Sequence, residues 1–373
     1  MRGAARYGIE HEVALLRDDG TLADFTSLRY SEVAAIVDEL PEDPADRRDL
    51  RIGDAGIRRK RWYAEGFERF DDDGRLVRFD PKGIEIRTRI HDDVDAVTGA
   101  LERDLSSLTG VAARHGLHPL AIGFNPLRSA YRLEPPANAF ELAAQAGSPE
   151  ERTAHLHMVT YGPDLNLSFP DSPSDPATMA DAGAKLTHLS PYLVPLSFSS
   201  PFRDGGAWGG LSARTAVRTG PRPAVLVYLD PSDPLQVSDP SLTRHAGIPA
   251  EVGRIEFKAF DACPDPALYA ELLSLLTGLL RDTTLPGRRT TPDAALHRRA
   301  AVDGLHDAGI RAGACAALDA AADALRGEPE HLDRLRSLRG RIERRECPAQ
   351  DLLARRRRGG PVAGLPARTP AIR

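Results

Sequence analysis

The stretch Arg254-Ile255-Glu256-Phe257-Lys258-Ala259-Phe260 is the starting point for predicting the fold. Side chains alternate in a β-strand, so the apolar residues share one face and Arg254, Glu256 and Lys258 share the other. A solvated strand face whose opposite charges pair locally would explain one such row. The alternative is a functional surface, and it is favoured because three other segments repeat the pattern.

These three segments each carry a polar row that includes a carboxylate or an amide. In chain order, the rows are Glu10 and Glu12; Glu85, Arg87 and Arg89; and Asp164, Asn166 and Ser168. Each row alternates with apolar residues, which predicts a strand with one buried face. Glu10 and Glu12 would repel each other across their strand face unless they are solvated or a divalent cation lies between them.

If the four strands are neighbours, their polar rows form one surface. That surface would carry Glu10, Glu12, Glu85, Asn166 and Glu256 together with Arg87, Arg254 and Lys258. Carboxylates and amides are hard oxygen ligands for magnesium or manganese, and arginine and lysine bind phosphate. Such a surface suits a metal–nucleotide phosphoryl-transfer site. The sequence has no Walker A motif, so the sheet itself would hold the nucleotide.

Composition excludes several classes of protein. The chain has 373 residues, 41% hydrophobic and 28% charged, and a net charge of -5, which predicts neither nucleic-acid binding nor membrane-surface binding. Its three cysteines, Cys263, Cys315 and Cys347, are too scattered for a disulfide framework or a zinc site. No apolar run could span a bilayer, and a predicted strand begins too early for a signal peptide. We therefore expect a cytoplasmic protein without a membrane partner.

Helices and strands mix without regular alternation, which is typical of an α+β protein with an antiparallel sheet. The predicted helices span 32–40, 92–116, 175–198, 266–281, 293–306, 314–325 and 328–345. Strands are also predicted over 63–70, 76–79 and 83–90, and the Asp-rich residues 71–74 predict a hairpin turn between the first two. We interpret residues 1–325 as a single domain. Residues 326–373 are predicted to be an Arg-rich helix followed by a disordered tail.

Two segments have no settled interpretation from the residues alone. Residues 199–223 are rich in Gly and Arg and lack periodicity, and long loops of this kind are functional or disordered. His155 and His157 would share one face if residues 153–159 form a strand, which is the spacing of a metal-binding pair. A structural role for the two histidines is an equal alternative.

The motifs in this order resemble the glutamate–cysteine ligase type 2 family, also called carboxylate–amine ligases. Gly8-Ile9-Glu10-His11-Glu12 is similar to the family's G-x-E-x-E, and Arg254-Ile255-Glu256-Phe257-Lys258 is similar to R-x-E-x-R. Further similar segments are 83–88, 164–171, 196–202, 211–214 and 298–304. The resemblance implies the fold of glutamine synthetase and guanidino kinases, in which a curved antiparallel sheet forms the active-site surface and helices pack on its outer side.

The resemblance also implies roles for individual residues. The residues that would bind magnesium, or manganese instead, are Glu10, Glu12, Glu85 and Glu256. Those that would bind ATP are Asn166, Arg254 and Lys258, and those that would meet a substrate carboxylate or an acyl phosphate are Arg87 and Arg214. The residues with an implied catalytic role are Glu85, Arg254 and Lys258.

Two departures from the family pattern affect this interpretation. Lys258 stands where the family usually has an arginine, which keeps the charge but loses the planar fork. Asp164-x-Asn166 stands where relatives have H-x-H or Q-x-N, so Asp164 and Asn166 would occupy the third-strand position. If the register is shifted by one motif, His155 and His157 become the ligands instead.

The implied reaction is ATP-dependent amide formation through an acyl phosphate. The implied partners are a small carboxylate, glutamate in relatives, and an amine or amino acid that the sequence does not identify; a homodimer is left open. Two rival hypotheses come from other classes. One is a metal–nucleotide phosphotransferase of the same fold, and the other is a non-catalytic member that binds a ligand or partner.

Overall fold

The computed structural model describes residues 1, 3–44, 46, 61–171 and 175–360. Its strands are β1 (Arg6–Arg17), β2 (Leu22–Ala23), β3 (Trp62–Phe70), β4 (Leu76–Arg87), β5 (Leu117–Leu120), β6 (Pro163–Ser168), β7 (Phe202–Arg203), β8 (Gly206–Ala207), β9 (Val225–Leu229), β10 (Thr243–His245) and β11 (Ile255–Phe257). Its helices are α1 (Tyr30–Glu39), α2 (Val94–Arg114), α3 (Ala139–Gly147), α4 (Pro149–Arg152), α5 (Ala154–His157), α6 (Pro176–Leu193), α7 (Ala213–Arg218), α8 (Ala267–Arg281), α9 (Ala294–Asp303), α10 (Ala308–Ala324), α11 (Pro329–Arg344) and α12 (Pro348–Arg357).

One large sheet organises the molecule. Its main path runs β10-β9-β11-β6-β1-β4-β3, and β2 and β5 pair with β1. The four strands predicted from their polar rows, β11, β6, β1 and β4, are consecutive neighbours, and each of these pairings is antiparallel. The sheet curls into a half-barrel with helices around it, which confirms the predicted α+β class.

The strand register places the polar rows on one face. Glu256 lies opposite Asn166, Glu10 lies between Asp164 and Arg87, and Glu12 lies opposite Glu85. Apolar residues of the same strands lie on the other face and are at most 1% exposed: Ile9, Val13, Ile84, Ile86, Leu165, Leu167, Ile255 and Phe257. Burial of one such side chain contributes about 2 kcal/mol, and a one-residue slip would expose the whole row, so hydrophobicity fixes the register.

Long helices cover the apolar face of the sheet. Leu272, Leu276 and Leu279 of α8 and Leu101 and Leu108 of α2 are completely buried in the same core. The Asp93 side chain caps α2 by accepting a hydrogen bond from the Ala96 amide, one residue later than the predicted start of this helix at 92.

The strand pattern differs from the prediction in one region. Residues 76–79 and 83–90 were predicted as separate strands, but they belong to the single strand β4, which ends at Arg87. A bulge makes this continuity possible: Glu65 pairs with Gly83 and Gly66 with Pro81, so Lys82 is an extra residue. The hairpin turn predicted at residues 71–74, after the strand predicted over 63–70, is confirmed, and it joins β3 to β4.

Two segments whose interpretation the sequence left open have regular structure, and the disorder predicted after residue 345 was wrong for residues 348–357. Residues 153–159 do not form a strand. His155 and His157 both lie in the short helical turn α5. Residues 199–223 contain the β7–β8 hairpin and helix α7, whose N-terminus is capped by Ser212. The expected tail after 345 forms helix α12 as far as Arg357, while residues 361–373 of that predicted tail lie outside the described residues.

The Arg-rich helix α11 packs on the domain. Leu335, Leu338 and Ile342 are buried in the main core, and their spacing of three to four residues gives the helix one apolar stripe. None of the helices that the structure describes has the length and apolar character needed to cross a lipid bilayer.

Candidate active site

The polar face of the sheet lines a cleft of about 870 Å³. Every residue assigned a site role from the sequence lies along it: Glu10, Glu12, Glu85, Arg87, Asn166, Arg214, Arg254, Glu256 and Lys258. The residues that line the cleft include Tyr228 of β9 and Phe70 of β3, so the lining extends across most of the sheet. The structure thus brings the predicted residues into one concave surface.

One group of carboxylates in the cleft consists of Glu10, Asp164 and Glu256. One oxygen from each lies within 4.8 Å of the others. Tyr228 donates a hydrogen bond of 2.5 Å to Glu256 Oε2, and Lys258 Nζ donates to Glu256 Oε1 and to Asp164 Oδ2. Three strands, β1, β6 and β11, supply one carboxylate each, so the sheet register holds them together.

Two cations hold this group of carboxylates in place. Arg254 donates to Glu10 Oε1 at 2.9 Å and to Glu251 Oε1 at 3.2 Å, and its guanidinium carbon lies 4.0 Å from the centre of the Tyr228 ring. Burial alone would raise the pKa of Glu256, but Lys258 and Arg254 outweigh it and hold that pKa far below its ordinary value. Glu256 is therefore a carboxylate at neutral pH.

Asp164 has the opposite balance. Burial raises its pKa to about 7, and although Lys258 opposes this shift, Glu256 and Glu10 add to it. The three carboxylates together carry more negative charge than Lys258 and Arg254 neutralise. An additional cation would therefore bind favourably at this group.

A second group consists of Glu12, Glu65 and His157, whose ligand atoms also lie within 4.8 Å of one another. His157 Nε2 is in hydrogen-bond contact with Glu65 Oε1, and Lys82 Nζ lies 2.7 Å from Glu12 Oε1. Burial would raise the pKa of Glu12, but Lys82 and His157 outweigh it and lower that pKa to about 2. His155, by contrast, is exposed to solvent.

Lys82 is the fixed cation of this second group. Its side chain is completely buried and donates to the carbonyls of His157 at 2.9 Å and Thr160 at 2.8 Å as well as to Glu12. The β4 bulge directs it there. The bulge requires glycine at position 66, since a Cβ atom would lie 2.1 Å from the Asp80 carbonyl oxygen.

Glu85 and Asn166 leave polar atoms unsatisfied between the two groups. Glu85 Oε1 and Asn166 Oδ1 are buried, and neither has a hydrogen-bond partner among the described residues. Burial and the neighbouring Glu65, Glu10 and Glu12 raise the pKa of Glu85 well above its ordinary value. Oxygen atoms of this kind, beside two groups of carboxylates, fit a hard divalent cation such as magnesium or manganese.

The two arginines assigned to substrate binding occupy different settings. Arg87 lies on β4 with its guanidinium carbon 4.3 Å from the centre of the Tyr63 ring, on the wall of the cleft. Arg214 is buried and donates to the carbonyls of Ala259 and Lys258 at 3.0 Å each. Gly162 makes room for it, because a Cβ atom there would lie 2.1 Å from Arg214 Nη2.

A buried aspartate positions Arg214. Asp261 accepts hydrogen bonds from the Ser199 amide at 3.0 Å, from Ser200 Oγ at 2.6 Å and from Ser212 Oγ at 2.9 Å. Ser212 Oγ in turn accepts from the Thr215 amide and caps helix α7, whose first turn carries Arg214. The carboxylate thus connects the loop after α6 to the residue that reaches the cleft.

We expect Asp261→Ala to lower the free energy of unfolding by about 3 kcal/mol, because it leaves three buried donors without their charged acceptor. Chemical denaturation measures this change. Asp265→Ala, at an exposed position four residues further along, is the matched control and should cost less than about 1 kcal/mol. Equal losses in the two variants would contradict a special role for Asp261.

Several residues of this site were not predicted from the sequence. Glu65 and Lys82 were overlooked, Tyr228 and Asp261 were not singled out, and His157 was assigned to a strand. The alternation of the predicted strand 63–70 could have placed Glu65 beside Tyr63 on one face. The bulge that directs Lys82 has no comparable signal.

The sheet and its cleft define an α+β protein whose curved sheet carries a carboxylate-lined cleft on its polar face. The chain belongs to glutamate-cysteine ligase family 2, whose family model matches residues 6–232, well over half of the chain. This confirms the resemblance seen in the sequence motifs. Strand β11, with Glu256, lies beyond the matched residues, and its pairing with β6 joins it to them.

Two solved structures have a similar fold. The glutamate–cysteine ligase of Francisella tularensis, solved in complex with AMP, has a TM-score of 0.55 and 13% sequence identity over 96% of this chain and 86% of that chain. A bifunctional glutathione synthetase from Pasteurella multocida has a TM-score of 0.58 and 13% identity over 96% of this chain and 51% of that one, so this chain spans about half of its length. No curated protein matches the sequence. At such identity, the two structures establish the fold alone.

Proposed function

We propose that this protein is an ATP-dependent carboxylate–amine ligase that forms an amide bond, γ-glutamyl in type, through an acyl-phosphate intermediate. The observation that carries the proposal is the contact of the Glu10–Asp164–Glu256 group with Arg254 and Lys258 on the concave face of the sheet. Carboxylates beside phosphate-binding cations are what phosphoryl transfer needs. Membership of the glutamate-cysteine ligase family directs that chemistry to amide formation.

The proposed roles are those that the family resemblance implies, and the position of these residues in one cleft supports them. The proposed metal ligands are Glu10, Glu12, Glu85 and Glu256, with Asp164 added from its place in the first group. The proposed contacts to ATP are Asn166, Arg254 and Lys258, and the proposed contacts to the substrate carboxylate and its acyl phosphate are Arg87 and Arg214. The residues proposed to act on the reacting groups are Glu85, Arg254 and Lys258.

In the proposed reaction, the side-chain carboxylate of glutamate attacks the γ-phosphorus of ATP. The bond from that phosphorus to the bridging oxygen breaks, ADP leaves and a γ-glutamyl phosphate forms. The amine nitrogen then attacks the acyl carbon, the carbon–oxygen bond to phosphate breaks, and the nitrogen loses a proton. Magnesium or manganese, when bound, would neutralise phosphate charge.

The cations of the protein are suited to the first of these steps. Arg254 is positioned by three carboxylates, Glu10, Glu251 and Glu256, so its guanidinium needs little rearrangement when charge develops on the transferred phosphoryl group. Helix α7 carries Arg214, whose guanidinium lies beside Gly162. Both arginines line the same cleft, so both lie on the surface proposed to hold the reacting groups.

The test is ADP release with magnesium-ATP and glutamate, in the presence and absence of a panel of amines and amino acids, with mass spectrometry of the products. We expect ADP release that depends on the amine and a product mass equal to glutamate plus the amine minus water. An enzyme preparation of the Glu256→Gln variant controls for contaminating ATPases.

The other outcomes separate the rival functions. A stable phosphorylated product without an amide would identify a phosphotransferase. Absence of turnover with every pair, together with retained nucleotide binding, would identify a non-catalytic member of the family. Either result would overturn the ligase assignment.

A further inference from the structure

Lys258 occupies the oxygens that a divalent cation would need. Its ammonium donates to Asp164 Oδ2 and to Glu256 Oε1, and both belong to the group of three carboxylates completed by Glu10. The Lys258 side chain is 16% exposed and lines the cleft. A protein cation and a metal ion would therefore compete for the same two carboxylates.

The other lysine of the cleft is held differently. Two of the hydrogen bonds that Lys82 makes go to backbone carbonyls, which cannot move without moving the chain. Within the described part of the chain, both hydrogen bonds of the Lys258 ammonium go to side-chain carboxylates. The Lys258 ammonium is thus held only by side-chain carboxylates, at the end of a flexible chain of four carbons.

Two cations close to the same carboxylate oxygens repel each other strongly. If Lys258 is displaced by a divalent ion, its largely buried ammonium is left without a counterion, which is costly unless an anion is nearby. The phosphates of a nucleotide in the same cleft would supply that anion. A lysine is suited to such a movement, because its point charge can be redirected more freely than the planar fork of the arginine usual in the family.

We propose that Lys258 is a tethered cation that couples divalent-metal binding to nucleotide binding. Without ligands it neutralises Asp164 and Glu256, and when the metal binds to these carboxylates it pairs with the phosphates instead. This inference rests on the proposed function. Its consequence is that metal alone binds weakly, and that metal and nucleotide each strengthen the binding of the other by the same factor.

The experiment measures free Mn²⁺ by electron paramagnetic resonance during titration of the whole protein, first without nucleotide. We expect Lys258→Met to bind Mn²⁺ about tenfold more tightly than the unmodified protein, because one competing cation has been removed. Arg244→Met is the matched control. It removes a cation from the wall of the same cleft outside the carboxylate group, and it should change the affinity by less than about threefold.

The titration is then repeated with an ATP analogue that has a methylene group between the β- and γ-phosphates, after the Mn²⁺ that the analogue binds by itself has been measured. The analogue should strengthen Mn²⁺ binding to the unmodified protein, and it should do so less in Lys258→Met. Lys258→Gln, which keeps a hydrogen-bond donor for the carboxylates, repeats the measurement if thermal unfolding shows that the methionine variant is unstable.

The outcomes separate this inference from the proposed function. If both lysine variants bind Mn²⁺ no more tightly than the unmodified protein, Lys258 does not compete with the metal and the inference is wrong, whatever the enzyme catalyses. If Mn²⁺ binds to none of the proteins even with the analogue, the proposed metal–nucleotide site is itself wrong. Tighter binding in both variants with reduced coupling supports the inference.

Discussion

Replacement of Glu256 by glutamine is expected to reduce turnover by about a thousandfold or more, because the change removes a charge aimed at the reacting phosphates and their metal. Glu256 is 2% exposed and contacts Tyr228, Lys258 and Arg254. Glutamine has almost the same shape and can still accept the Tyr228 hydrogen bond. The measurement is the rate of amine-dependent ADP release.

The fold should survive this replacement. Arg254 keeps Glu10 and Glu251 as partners, and Lys258 keeps Asp164, so neither cation is left unpaired. Circular dichroism and thermal unfolding check this expectation. Glu251→Gln is the matched control, since it removes a buried carboxylate that also faces Arg254 but lies outside the Glu10–Asp164–Glu256 group; its loss of activity should be much smaller. Near-normal activity of Glu256→Gln would refute the site assignment.

Much of the sheet could be predicted from the sequence because alternation is a local signal. Glu10, Glu85, Asn166 and Glu256 each lie in a segment whose apolar neighbours identify the buried face, so the polar face follows without knowledge of the partner strand. The family resemblance then implied that those strands lie side by side in one sheet. The observed pairing of β11, β6, β1 and β4 agrees with it.

The remaining site residues depend on contacts that local patterns do not contain. Lys82 reaches Glu12 only because a bulge opposite residues 65 and 66 adds one residue to β4. His157 reaches Glu65 from a helical turn, and its H-x-H spacing with His155 suggested a strand. Asp261 caps nothing in its own segment, and its three partners lie 49 to 62 residues away in the chain. Such positions are set by tertiary packing.

Helix α12 near the C-terminus was likewise not predicted from local sequence patterns. The Arg-rich composition of residues 345–358 suggested a disordered tail, since charged segments with few apolar residues bury little surface. Helix α12 nevertheless forms, with Ala349 completely buried and its amide donating to the Phe198 carbonyl at 2.7 Å. One small buried residue at the start of a helix is too weak a signal to recognise beforehand.

Lys82→Met is expected to lower the free energy of unfolding by about 3 kcal/mol at neutral pH, measured by chemical denaturation, because it leaves a buried carboxylate and two carbonyls without their cation. Lys82 and His157 lower the pKa of Glu12 to about 2. The interaction of Lys82 with Glu12 therefore stabilises the fold at pH values above the pKa that Glu12 has in the unfolded chain. This stabilisation is lost as the pH falls through the pKa that Glu12 has in the folded protein. The difference in the free energy of unfolding between the unmodified protein and Lys82→Met should therefore decrease as the pH falls from about 5 towards 2.

Adding Glu12→Gln to the Lys82→Met variant removes the unpaired charge and should restore part of the stability. If this double variant is as unstable as the sum of the single changes, Lys82 and Glu12 are not coupled, and the ion pair does not hold this half of the cleft together.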